Sequence, residues 1–240
     1  MHAAQGLILS VKSVSAPFFA FLFPPSCLAC LSPLSNNSSS LCLACTRCLR
    51  RVDKHDAVFQ RTLLALTSDG SLDGMVAPFY FEKEGPLQQL IHKLKYVGMT
   101  RIGVLVGEEI AAGIAGHRGD GNAVIVPVPL HRAKRRERGY NQSYFIGRGI
   151  SRELGVPVRE WALRREIYTR SQTTLDIIER AKNVEGAFRV PSRSVDALRG
   201  KTVLLVDDVI TTGATIRACA AALREANVER IIACAAALAI

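Results

Sequence analysis

Three runs in this 240-residue chain are apolar at nearly every position: Ala123 to Pro127, Thr202 to Val206 and Arg230 to Ala236. A strand with one wet face alternates apolar and polar residues, so an unbroken run predicts a strand covered on both faces. Helical periodicity separates these runs, with Gln142 to Leu154 after the first and Ala214 to Ala226 between the second and third. Strand, helix and strand in alternation predict an α/β domain with a parallel sheet flanked by helices. Upstream, Met75-Val-Ala-Pro-Phe-Tyr-Phe81 reads as β-rich. Leu87, Leu90, Ile91 and Leu94 recur at helical spacing behind Pro86, which suits a first turn, and a second helix is expected from about Arg101 to Ile114. The boundaries predicted are an apolar segment over 1–23, a cysteine-bearing module and hinge over 24–73, and the α/β domain over 74–240. Ligands of such sheets bind beyond the carboxyl ends of the strands.

Composition sharpens this picture at three places. The apolar fraction of 48% suffices for a buried core. The net charge of +10 is concentrated: between His131 and Arg170 there are eleven Arg and Lys (132, 134, 135, 136, 138, 148, 152, 159, 164, 165, 170) against Glu137, Glu153, Glu160 and Glu166. A field of that sign favours a pyrophosphate-bearing ligand or nucleic acid over cationic partners. Residues 13–26 are uncharged and rich in Phe, but too short to span a bilayer, and no small-residue cleavage site follows them. The expectation is a short docking segment on a cytoplasmic protein without a membrane span.

Of seven cysteines, five (27, 30, 42, 45, 48) crowd the front of the chain. The odd total and the spacing argue for metal in a reducing compartment and against a disulfide scaffold. Cys27-x-x-Cys30 followed by Cys42-x-x-Cys45 would close a tetrahedral, structural zinc site, while Cys48 leaves Cys45 with Cys48 as an alternative second pair. Cys219 and Cys234 sit in apolar runs and read as buried small hydrophobes.

The densest chemistry follows the strand Val203-Leu-Leu-Val206. Asp207 and Asp208 offer adjacent carboxylates to sugar hydroxyls, and Thr211-Thr212-Gly213-Ala214-Thr215 leads into a helix whose first N–H groups attract an anion. Gly213 lets backbone approach a phosphate and the threonines add donors, so the turn suits a ribose 5-phosphate. A second constellation is Val126-Pro-Val-Pro129 with Arg132-Ala-Lys-Arg-Arg-Glu-Arg-Gly-Tyr-Asn-Gln142, read as a basic loop. Arg136 and Arg138 there suit bidentate contacts with a departing pyrophosphate, Lys134 and Arg135 read as solvated charge, and Gly139 reads as a hinge. A third, Arg170 to Phe188, reads from its chemistry as an ordinary amphipathic helix capped by Asp176.

These strings resemble two nested families. Val-Asp-Asp-Val-x-Thr-Thr-Gly resembles the signature of type I phosphoribosyltransferases, which bind phosphoribosyl pyrophosphate (PRPP). The resemblance implies ribose contacts for Asp207 and Asp208 and 5′-phosphate contacts for Thr211 to Thr215. Pro-Val-Pro, Arg-x-Arg-Gly-Tyr-Asn-Gln, Gln-x-x-Leu-x-x-x-x-Arg-x-x-Asn-Val-x-Gly-Ala-Phe and the paired cysteines behind Phe-Pro-Pro, in this order, resemble the ComF/GntX family of competence-associated bacterial proteins. The match runs from Phe23 onward apart from about 50–73, and Leu90 to Gly98 resembles the family's Leu-Lys-x-x-Gly segment around Lys95, which joins Arg136 and Arg138 as a pyrophosphate contact. It implies a zinc ribbon joined to a phosphoribosyltransferase domain and a role in DNA uptake.

Two function classes follow. As an enzyme, the protein would bind PRPP, with Mg²⁺ held mainly by the substrate's oxygens, and transfer the phosphoribosyl group to an acceptor the sequence does not name. As a binding module, it would sense a nucleotide while the basic segment and ribbon hold single-stranded DNA or competence helicase and recombination proteins. A glutamine-dependent amidotransferase is not expected, since that activity needs an N-terminal cysteine nucleophile and the sequence begins Met-His-Ala-Ala.

Overall fold

A computed structural model describes residues 25–34, 40–114, 122–166 and 186–240. The segment 1–23 and most of the Arg170 to Phe188 constellation lie outside the described residues. The chain divides into two compact units, 1–49 and 50–240.

The first unit is short. Ser26 pairs with Pro33 in an antiparallel bridge, and Leu31 turns the chain with a positive φ of 65°. Helix α1 (Leu43–Arg47) follows, its N-terminus capped by the Cys42 sulfur, which accepts from the Cys45 amide.

The second unit opens with α2 (Ala57–Thr67), within the stretch read as a hinge. Asp56 caps it by accepting from the Val58 and Phe59 amides. Strands β1 (Gly74–Val76) and β2 (Phe79–Phe81) both pair with β7 (Arg230–Ala239), interrupted at Ala77 and Pro78, the latter unable to donate to a ladder. Helix α3 (Pro86–His92) continues into a π-turn over Lys93–Val97 that Gly98 ends, and α4 (Thr100–Ile114) follows. Then come β3 (Ala123–Pro127), α5 (Arg132–Arg138), α6 (Gln142–Leu154), the short antiparallel pair β4 (Arg164–Arg165) and β5 (Phe188–Arg189), α7 (Ser192–Leu198), β6 (Thr202–Ile210) and α8 (Ala214–Glu225).

The main sheet is parallel, in the order β1, β7, β6, β3, with β2 also on β7. Buried residues run without alternation through Val203 to Val206 and Ile231 to Leu238, as expected for strands covered on both faces. On one side α4 and α6 cross with almost no separation: a Cβ placed on Gly149 would lie 2.0 Å from the Val104 carbonyl oxygen. Only backbone fits at that crossing.

Two elements differ from expectation. Residues 132–138 form a helix, not a loop, because His131 caps it by accepting from the Ala133 amide and Gly139, at φ 83°, ends it. β6 runs through the acid pair to Ile210, because β7 continues to pair with it at Asp207↔Ala235, Val209↔Ala237 and Ile210↔Leu238.

Candidate functional site

β3 and β6 part company just before the two aspartates. Their last paired residues are Pro127 and Val206, and the Val128 amide donates to the Val206 carbonyl at 2.8 Å. Beyond that point β6 keeps only β7 as a neighbour in the sheet, and Asp207 and Asp208 stand in the gap at the carboxyl end of the sheet.

Other segments converge on the pair. Lys95, from the π-turn, places Nζ 2.8 Å from Asp208 Oδ2, and Gln142, at the start of α6, donates to the same oxygen at 2.8 Å. Ser143 donates to Asp207 Oδ1 at 3.3 Å, and that oxygen also accepts the Asp208 amide at 2.9 Å. Asn141 caps α6 by accepting from the Ser143 amide at 3.1 Å, while its own amide group donates to the Val128 carbonyl. Thus Asn141 and Gln142, which close the basic motif read in the sequence, and Ser143 after them tie α6 to the exit of β3 and to the carboxylates. Asp208 is only 6% exposed, so its partners replace lost water. Burial, and then the charge of Asp208, push the Asp207 carboxyl up to about 7.

The turn after β6 is built for a close approach. Gly213 takes φ 73° as the N-cap residue of α8 and supplies no side-chain cap. A Cβ there would meet Leu66 Cδ2 at 2.3 Å, so glycine is required both by conformation and by the packing of α2. Thr211 and Thr212 are exposed, and the Thr212 hydroxyl accepts weakly from the Ala214 amide at 3.4 Å. The first amides of this 12-residue helix have no intrahelical acceptor, the chemistry that an anion can satisfy.

The cations expected to meet pyrophosphate separate into two groups. Lys95 and Arg138 share a cavity of about 490 Å³ with Lys134, Tyr96 and Tyr140. Arg138 also donates to Gln142 and lies 5.5 Å from the Tyr96 ring, and Tyr140 donates to the Leu94 carbonyl. Partial desolvation, and then the charges of Arg165, Arg138 and Lys95, lower the proton affinity of Lys134, with Glu137 acting against them. Arg136 is exposed and is not in this wall. Lys134, which the sequence reads as solvated charge, is exposed too and lines this wall beside Lys95. On α5, residues 134 and 138 share a face that 136 does not.

In the first unit, the sulfurs of Cys27, Cys30, Cys42 and Cys45 lie within 4.8 Å of one another, with Cys30 and Cys42 at 3.7 Å. A tetrahedral zinc with Zn–S near 2.3 Å sets its sulfurs about 3.8 Å apart, so the donor set fits. The Ser32 hydroxyl and amide bring Cys30 down to about 6, towards the thiolate that a metal takes. Cys48 is exposed and outside this group. Cys219 and Cys234 are buried, as their apolar settings predict. No helix among the described residues is long and apolar enough to cross a membrane.

Comparison with known proteins adds the following. Residues 97–239 match the family model described as phosphoribosyl transferase domain. Competence protein F of Haemophilus influenzae is 36% identical over 107 residues, covering 45% of this chain and 46% of that protein. DNA utilization protein YhgH of Escherichia coli is 31% identical over 135 residues, covering 55% and 58%. The chain thus spans about half the length of these two relatives. Competence protein ComFC of Bacillus subtilis is 24% identical over 213 residues, covering 85% of this chain and 81% of that protein.

Proposed function

Since this chain belongs to the phosphoribosyl transferase domain family, and within it to the ComF group, we propose that it binds PRPP or a similar ribose-phosphate ligand and serves in the uptake or use of DNA. The observation that carries the reading is the convergence of Lys95, Gln142 and Ser143 on Asp207 and Asp208, beside the turn that opens α8. Carboxylates at the gap between β3 and β6 accept the ribose hydroxyls. The amides of 213–215 and the hydroxyls of Thr211, Thr212 and Thr215 take the 5′-phosphate. Lys95, Lys134 and Arg138 surround the pyrophosphate. Mg²⁺ would ride mainly on the oxygens of PRPP and screen its charge; the two carboxylates are of the hard-oxygen type such an ion accepts. The cytoplasm, where PRPP is made, is the compartment this reading requires. Zinc in the four-cysteine site, with Cys42 and Cys45 as the second pair, would hold the first unit in shape.

If transfer occurs, the chain contributes position and charge: it fixes the ribose and stabilises negative charge growing on pyrophosphate. The test is calorimetric titration with PRPP and with ribose 5-phosphate. Asp207→Asn combined with Asp208→Asn should weaken both at least about tenfold, as charge-assisted contacts of about 1.5–3 kcal/mol are lost, with circular dichroism unchanged. Undiminished affinity would remove the reading. A pyrophosphate-release screen with nucleobases and ammonia then separates enzyme from binding module.

The charge on residues 131–165 favours a second role, in holding single-stranded DNA. Arg136→Ala with Arg138→Ala distinguishes the two. Loss of turnover beyond any loss of ribose 5-phosphate binding marks a transition-state contact. A salt dependence of oligonucleotide binding flattened by about 0.7 log units per lost contact marks a grip on the DNA backbone. An unchanged salt slope removes that second role.

A further inference from the structure

A hollow of about 570 Å³ opens beside the ribose-phosphate region and takes no part in the binding of ribose phosphate or pyrophosphate proposed above. Its most distinctive wall is flat. Arg135 lies 4.1 Å from the ring centre of Trp161 and is held there by Glu160, whose carboxylate is 2.9 Å from its guanidinium. The indole is 50% exposed, an unusual state for so large an apolar surface, and it is the chain's single tryptophan.

The charge in the hollow has one sign to spare. Arg132, Arg135, Arg164 and Arg165 line it against Glu160 and Glu166. Both carboxylates are already engaged, Glu160 with Arg135 and Glu166 with Arg189 from β5. His131, also in the lining, loses proton affinity through burial and through the charges of Arg165, Arg136 and Arg132, which favours its neutral form. The hollow is also joined to the ribose-phosphate region. Its wall residue Asn141 accepts from the Ser143 amide, and the Ser143 hydroxyl donates to Asp207.

We propose that this hollow binds a small planar aromatic anion, a heteroaromatic carboxylate or a comparable anionic base, stacked on the Arg135–Trp161 wall with its negative group on Arg132 and Arg164. Arginine braced on indole gives a rigid surface for a π-system at low entropic cost. The surplus guanidinium groups select an anion by paired N–H···O contacts. The volume lies in the range of small-ligand sites. The site stands whether or not the protein catalyses a transfer, and a ligand there would neighbour the phosphoribosyl group if it does.

Because Trp161 is the only tryptophan, intrinsic fluorescence of the full-length protein reports on this wall directly. Matched probes separate ring from charge: nicotinate against nicotinamide, orotate against uracil, and inorganic phosphate as an anion without a ring. The carboxylates should change the emission saturably, and the neutral analogues and phosphate should bind at least about tenfold more weakly, the factor expected for one lost charge-assisted contact. Arg132→Gln, at an exposed position, should weaken the carboxylates about tenfold while leaving ribose 5-phosphate affinity unchanged; Arg164→Gln should repeat the effect. Equal affinity for neutral and charged rings, binding of phosphate as tight as that of the carboxylates, or absence of any saturable change would overturn the proposal. So would an oligonucleotide that displaces the carboxylates and binds more tightly than they do.

Discussion

A carboxyl group that titrates near 7 makes Asp207 the residue where ligand binding and stability pull in opposite directions. Burial and the charge of Asp208 raise its affinity for a proton above that of an unfolded aspartate, near 3.9. Between about pH 4 and 7 the folded chain keeps a proton that the unfolded chain has released, so stability falls as pH rises through that window. Asp207→Asn should therefore unfold at higher urea than the wild type at pH 8 and lose that advantage at pH 4, by on the order of 1 kcal/mol once solvent screening is allowed for. The same change should weaken ribose 5-phosphate binding at pH 8. A variant no more stable than wild type at pH 8 would show that the carboxylate costs nothing where it stands. That Asp207 and Asp208 stand side by side towards the end of a buried strand was legible from their adjacency after an apolar run. That Gln142 and Ser143 hold them was not, because hydrogen bonds between residues 64 and 66 positions apart leave no local periodicity.

Between elements, the contacts that matter are made by absence of a side chain. Gly213→Ala would force a φ of 73° on alanine and drive its Cβ into Leu66. The conformational part alone costs about 1–2 kcal/mol, and the displacement of Leu66 adds to it. A cycle with Leu66→Ala should show coupling: the double variant should be less destabilised than the two single changes together, by roughly 1 kcal/mol, as judged by urea midpoints. Strict additivity would mean that α2 yields freely to the turn. At the α4–α6 crossing, Gly149→Ala meets backbone oxygen instead of a movable side chain and should destabilise by at least about 3 kcal/mol. The sequence revealed α4, α6 and the core strands because their hydrophobic period is strong. It misread residues 132–138, since seven mostly charged positions give no period and their helicity comes from the caps at His131 and Gly139. It also ended β6 early, because carboxylates are rare inside strands and only the partner β7 keeps the ladder going.

For the whole chain, the phosphoribosyltransferase-like sheet with its flanking helices is the fold anticipated from the order of its motifs. The small four-cysteine module was anticipated from spacing. Which cysteines approach one another depends on a turn through Leu31 and a cap at Cys42, and neither is encoded in the count of residues between pairs. One zinc per chain is the expected metal content, by elemental analysis of reduced protein. Cys27→Ser should lower it well below one equivalent and Cys48→Ser should leave it unchanged. Loss of zinc in both variants would instead make Cys45 and Cys48 the second pair. The clustering of charge, visible in sequence as a surplus over forty positions, becomes two separate cationic hollows in space, one beside Lys95 and one beside Trp161.

The π-turn at Lys93–Val97 carries a last consequence. Such a turn amounts to one residue more than an α-helix needs over the same stretch, and each residue of an α-helix advances about 100° around the axis. Losing a single residue between His92 and Gly98 would let the segment relax to an ordinary helix. Lys95 would then swing away from Asp208, or α4 would be pulled off its seat against α6. Point substitutions in this segment trade one side chain for another, but deletions dismantle the site. Length here is a functional property, and a comparison of related chains that tolerates gaps between α3 and α4 would overlook it.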